Sequence, residues 1–147
     1  MERVKKALSL FHDGANCAQA ILSTYGTEYG MDKETAMRLA SSFGGGMGLQ
    51  GMVCGAVTGA YMVISLKNGN SEISDTESRA KADAIVQEFT SKFKSRRDGK
   101  VNCSELLGYT NHSFLDFEFG KQEDMFSKIC PKCVKDAAEI LEEILQH

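Results

Sequence analysis

The residues with the most chemistry open to them in this 147-residue chain are its five cysteines. Asn16-Cys17-Ala18-Gln19 and Asn102-Cys103-Ser104-Glu105 repeat one plan. An Asn suited to an N-cap precedes a Cys at the first helical position, and Gln or Glu follows at the third, the position used by a capping box. Cys130-Pro131-Lys132-Cys133 is a variant that places Cys130 near a cap, Pro131 where proline best tolerates a helix start, and Cys133 inside the first turn. Cys54 is expected in the first turn of a further helix, beside Gly55, which cannot shield its sulfur. A helix N-terminus presents unpaired N–H groups and about half a positive charge, so thiolate is favoured there and the thiol pKa should fall.

Two uses follow if these helix starts converge. Thiols within reach of one another could exchange electrons by thiolate attack and disulfide formation. Alternatively, four sulfurs in a tetrahedral arrangement would bind zinc or an iron–sulfur cluster. Structural zinc sites usually contain two close Cys pairs, whereas only Cys130 and Cys133 are close here, so metal ranks second. The Cys-Pro-Lys-Cys pair is similar to a dithiol redox motif in its local chemistry, without the βαβ context of a thioredoxin fold. A third reading makes the cysteines core filler in a helical interaction module. His12, His112 and His147 are far apart, and no paired-carboxylate or Ser-His-Asp pattern stands out.

Helical spacing of apolar residues almost throughout predicts an all-α fold. Glu2 to Phe11 forms the first helix, with Val4, Ala7, Leu8 and Phe11 on one face. The second follows Asn16, turns Cys17, Ala20, Ile21 and Thr24 inward, and ends by Gly30. Asp32 caps a third, with Ala36, Leu39, Ala40 and Phe43 as its buried stripe. The glycine-rich run Gly44 to Gly51 lacks the Gly-Lys-Ser/Thr and the preceding strand of a nucleotide loop, so it reads as a tight connection. A fourth helix, Met52 to Leu66, carries a smooth ridge of Gly55 and Gly59 for close packing. Ser74 to Glu77 reads as a capping box for a long fifth helix with Ala82, Ile85, Val86, Phe89 and Phe93 inward. Cys103 to Leu107 is a short sixth helix stopped by Gly108, and Phe114 to Phe119 is aromatic and acidic without a regular period. Lys121 to Ile129 leads into a last helix with Val134, Ala137, Ala138, Leu141 and Ile144 as its stripe.

With 42% apolar residues, a chain of this length is expected to form one domain, residues 1–147, with a sizeable core. A net charge of −3 argues against a nucleic-acid partner, and the basic run Lys92 to Lys100 reads as a solvated helix end. The first residues lack a secretory signal pattern, and the Met52 to Leu66 stretch is shorter than the ~20 residues of a membrane span. A cytoplasmic location is therefore expected, where five cysteines do not form a static disulfide framework.

The motifs also carry a resemblance. Cys54-Gly55-Ala56-Val57-Thr58-Gly59 resembles the Cys-Gly-Ala-x-x-Gly signature of the redox-active protein family named for its C_GCAxxG_C_C pattern, proteins of about this length marked by four cysteines. The likeness extends along the chain through Asn16 to Ala20, the Gly44 to Gly51 segment, Cys103 to Gly108 and Cys130-Pro131. It implies a redox role and, carried over by position, the four cysteines Cys17, Cys54, Cys103 and Cys130, with Cys133 an additional thiol and the choice within the last pair open. It also implies a bacterial or archaeal cytosolic protein.

The expectation is a compact all-α bundle of about six to eight helices, in which cysteines from separate helices meet and perform thiol–disulfide chemistry. Cys54 is the expected central thiol, Cys17 and Cys103 are candidate resolving partners, and Cys130 is the fourth. A small thiol or a redox protein would supply electrons, and no cofactor is required. Self-association into a homo-oligomer is compatible with the sequence. In the metal-binding alternative Cys17, Cys54, Cys103, Cys130 and Cys133 would hold zinc or an iron–sulfur cluster.

Overall fold

The computed structural model describes residues 2–108 and 123–146. Among them the fold is all-α, 75% helical, without a strand. The helices are α1 (Glu2–His12), α2 (Cys17–Tyr25), α3 (Lys33–Ala40), α4 (Gly55–Asn68), α5 (Thr76–Arg96), α6 (Cys103–Leu107) and α7 (Glu123–Leu145). A 3-10 turn, Gly26–Tyr29, extends α2, and a single glycine-rich turn, Gly44–Met47, lies between α3 and α4. The Phe114 to Phe119 stretch, His112 and His147 lie outside the described residues.

Helix α2 is the centre of the packing. Every residue of it except Gln19 is buried, because α1, α3, α4 and α7 all pack around it. The glycine ridge of α4 makes this possible: a Cβ on Gly59 would stand 3.1 Å from the Ala18 carbonyl oxygen, and one on Gly55 would stand 3.0 Å from the Ala18 nitrogen. The two backbones therefore approach at a distance that larger residues would forbid. Helix α7 closes the other side with Val134, Ala137, Ala138, Leu141 and Ile144, the stripe its sequence spacing predicts. On α5, Ala82, Phe89 and Phe93 are buried, while Ile85 and Val86 are only partly covered.

Four elements depart from the sequence reading. Leu39 is 48% exposed, since Ala36 and Ala40 alone face inward on the short α3. The cap of α5 is Asp75, not Ser74, with its carboxylate accepting the Ser78 N–H at 3.1 Å. The basic end of α5 is docked rather than simply solvated: Arg96 meets Glu139 at 2.7 Å and Arg97 meets Asp136 at 2.8 Å, both acids on α7. Finally, α7 does not begin at Cys130 but runs unbroken from Glu123 through Pro131. Proline there forfeits one helical hydrogen bond, and the buried face that continues through Cys133, Val134 and Ala137 offsets the loss.

Candidate functional site

The first cysteine is positioned by a complete capping box. Asn16 Oδ1 accepts the Gln19 N–H at 2.8 Å, and Gln19 Oε1 accepts the Asn16 N–H at 3.0 Å, which fixes Cys17 as the first residue of α2. Asn16 does more than its spacing predicts. Its Nδ2 donates to the Ser41 carbonyl at 3.0 Å, so the start of α2 is tied to the end of α3. Gly44 must be glycine for this contact, because a Cβ there would lie 2.7 Å from Asn16 Cβ.

Cys54 is the N-cap residue of α4, one step before the first turn where the sequence places it. Its carbonyl accepts from Val57 and Thr58 at 2.9 and 3.0 Å, which starts the helix. Its sulfur makes no formed cap hydrogen bond, yet the Ala56 and Val57 N–H groups act on it from the helix end. Gly55 lets it approach its neighbours: a Cβ on Gly55 would stand 2.9 Å from the Phe43 carbonyl and 3.3 Å from Cys17 Cβ. This is the physical need behind a glycine directly after Cys54.

Cys103 begins α6, as its spacing predicts, but Asn102 makes no side-chain cap bond. The helix start is held from elsewhere in the chain. The Cys103 N–H donates to the Met52 carbonyl at 2.6 Å, the Ser104 N–H to Gly51 at 3.2 Å, and the Cys54 N–H to Val101 at 2.9 Å, around a bridge between Val53 and Asn102. Those carbonyls are presented by an unusual connection. Gly45, Gly46, Met47, Gly48 and Leu49 all have positive φ, from 63° to 75°, which is one turn of left-handed helix. Gly46 is its tightest point, where a Cβ would stand 2.5 Å from Met52 N and 2.8 Å from Cys103 Cβ. The glycine run is thus the tight connection its sequence suggests, and it sets the distance between Cys54 and Cys103.

Cys130 and Cys133 sit in the interior of α7, three residues apart, so both turn toward the same side of that helix. All five cysteines are buried, and none is in a disulfide. Hydrogen bonds link four of the sulfurs: Cys17 and Cys133 both donate to Cys54, and Cys17 is also paired with Cys130. Cys103 shares the wall of a cavity of about 460 Å³ with Cys17, Cys54 and Cys130. Phe11 of α1, Ser41, Ser42 and the left-handed turn complete that wall. Nothing in the spacing of Ser41 and Ser42 marks them, since packing brings them to this wall.

The electrostatics single out one sulfur. Cys54 is held well below the ordinary thiol range by hydrogen bonds from Cys133 and Cys17, against its burial, with help from the Ala56 and Val57 N–H groups. Cys17 moves the other way, because its hydrogen bonds to Cys130 and Cys54 and its burial favour the protonated thiol. A first-turn position therefore does not lower the pKa of Cys17, contrary to the sequence argument. Cys133 is likewise pushed up by its bond to Cys54 and by burial, while the Arg97 guanidinium pulls weakly in the opposite direction. Among the described residues no group of three or more His, Cys, Asp or Glu side chains is placed to hold one metal ion, and no helix is long and apolar enough to cross a membrane.

An all-α chain whose helix starts and last helix bring buried thiols to one cavity is the class that fold and site define. The chain belongs to the putative redox-active protein family C_GCAxxG_C_C, whose model matches residues 15–144. No curated protein and no solved structure matches it.

Proposed function

We propose that this protein performs thiol–disulfide exchange at the cysteines gathered from α2, α4, α6 and α7, with Cys54 as the attacking sulfur and Cys17, Cys103 and Cys130 around it. The observation that carries this reading is the placement of Cys54: it caps α4 and lines one cavity with Cys17, Cys103 and Cys130, and hydrogen bonds from Cys133 and Cys17 hold its pKa below the ordinary thiol range. Its place on the wall of the cavity gives a substrate sulfur a route to it. The family's redox label agrees with the same chemistry.

The test is pseudo-first-order alkylation of the reduced protein with iodoacetamide between pH 5 and 9, with mass mapping of the labelled residue. Cys54 should be labelled first, with an apparent pKa below the ordinary thiol value of 9.0. If all five cysteines label only after denaturation, or Cys54 titrates as a free thiol does, the reading is wrong. Labelling that starts only after a chelator is added would assign the sulfurs to a metal instead.

A further inference from the structure

Two of the thiols that donate hydrogen bonds to Cys54 differ in where they stand. Cys17 lines the cavity together with Cys54, Cys103 and Cys130, whereas Cys133 touches Cys54 without being part of that wall. Cys133 also has the least exposed surface of the five, at 2%. This difference decides which sulfur can complete an exchange, because a thiolate attacks a disulfide sulfur in line with the bond that breaks. A substrate fragment bound to Cys54 occupies the cavity, so a neighbour of Cys54 that is not part of the cavity wall is the sulfur best placed to expel it.

We infer that Cys133, rather than Cys17 or Cys103, is the resolving cysteine, and that the substrate is a low-molecular-weight disulfide small enough to enter the cavity. This rests on Cys54 being the attacking thiolate. In the first step the Cys54 sulfur bonds to one substrate sulfur, the substrate S–S bond breaks, and the first small thiolate leaves and takes a proton from solvent. In the second, Cys133 gives its proton to solvent and its sulfur attacks Cys54. The mixed disulfide breaks, and the second thiolate leaves and is protonated in turn. Two protein thiols are oxidised to a Cys54–Cys133 disulfide, and one small disulfide is reduced to two thiols. A dithiol reductant, by the reverse exchange, returns the protein to its starting state.

The surroundings of Cys133 suit this order of events. Its hydrogen bond to the Cys54 thiolate is the main reason it stays protonated. Once Cys54 is tied up in a mixed disulfide that acceptor is gone, which removes the largest of the influences that keep Cys133 protonated, while burial continues to act on it. The small size of the substrate follows from access: Cys54 is only 5% exposed, and the cavity of about 460 Å³ admits a small molecule but not the surface of a folded protein.

The experiment uses the full reduced chain and 2-hydroxyethyl disulfide, with acid quenching and mass mapping over time. The native protein should form the Cys54–Cys133 disulfide and release both mercaptoethanol molecules. Cys133→Ser should stall with one mercaptoethanol on Cys54, the second release slowing at least about tenfold. Cys133→Ala, with helicity checked by circular dichroism, guards against a folding defect of the serine variant and should stall in the same way. A Cys54–Cys17 or Cys54–Cys103 bond in the native protein, or unslowed release from both Cys133 variants, overturns the assignment while leaving Cys54 as the attacking thiol. Insulin reduced as fast as the small disulfide overturns the size limit. No adduct on Cys54 in any variant overturns both this inference and the exchange reading beneath it.

Discussion

The starts of α2 and α6 share the Asn-Cys plan, yet they are built by different forces. At α2 the plan is realised locally, with both hydrogen bonds of the capping box formed within four residues. At α6 the same letters make no side-chain cap, and the carbonyls of Gly51 and Met52 take the N–H groups that Asn102 does not. A helix end needs its free N–H groups satisfied, and any well-placed acceptor will serve. An N-cap pattern therefore predicts where a helix begins more securely than it predicts what holds that beginning.

The sharpest way to break this contrast is Gly46→Ala. The new Cβ would collide with Met52 backbone and Cys103 Cβ at a residue with φ of 75°, so it attacks the tertiary support of α6 directly. A loss of about 3 kcal/mol or more is expected from overpacking and left-handed strain together, read as a lower urea midpoint. An unchanged midpoint would mean that the left-handed turn does not hold α6. The paired variants Asn16→Ala and Asn102→Ala come next. The first should cost about 2 kcal/mol, since it removes a formed cap and the tie to Ser41, and the second should stay within about 0.5 kcal/mol. Equal losses would erase the distinction between the two starts.

A smaller effect, at most about 1.4 kcal/mol per pH unit for each proton, separates the sulfur at the α2 start from the one at the α4 start. Cys54 titrates below the ordinary thiol value of 9.0 in the folded chain, so the unfolded chain binds its proton more readily. Stability of the reduced protein should therefore rise with pH from the folded Cys54 pKa up to about 9, and its contribution is lost as pH falls through that pKa. Cys17 and Cys133 are raised, so their contribution is complete below 9.0 and declines above it. Urea midpoints under reducing conditions should peak near that value, and Cys54→Ala should flatten the rise on the neutral side. A rise that persists in Cys54→Ala would place the responsible titration elsewhere.

The helices were legible because their periods are strong. Val134, Ala137, Ala138, Leu141 and Ile144 are buried as spaced, and Gly55 and Gly59 mark a close helix approach that exists. Cys17 could be placed at its exact helical position because its capping box is local. What the spacing could not reveal depends on distant partners. Pro131 reads as a helix start by preference, but packing carries α7 through it. The helix-end argument lowers the pKa of any first-turn thiol, and only the arrangement of neighbouring sulfurs shows that Cys54 accepts hydrogen bonds while Cys17 is kept protonated. The separate standing of Cys133, in contact with Cys54 yet off the cavity wall, has no counterpart in sequence spacing.

The left-handed turn from Gly45 to Leu49 also bears on the order in which the chain assembles. Each non-glycine residue in it, Met47 and Leu49, is disfavoured by about 1–2 kcal/mol in isolation. The turn cannot nucleate folding, and it becomes stable only once Asn16, Met52 and Cys103 are packed against it. The right-handed helices α2 and α4 must come first. The wall that joins Cys54 to Cys103 is thus a late product of folding, and φ-values near zero are expected across it. Until then Cys103 is not held beside Cys54, so the cavity they share is complete only when the fold around it is.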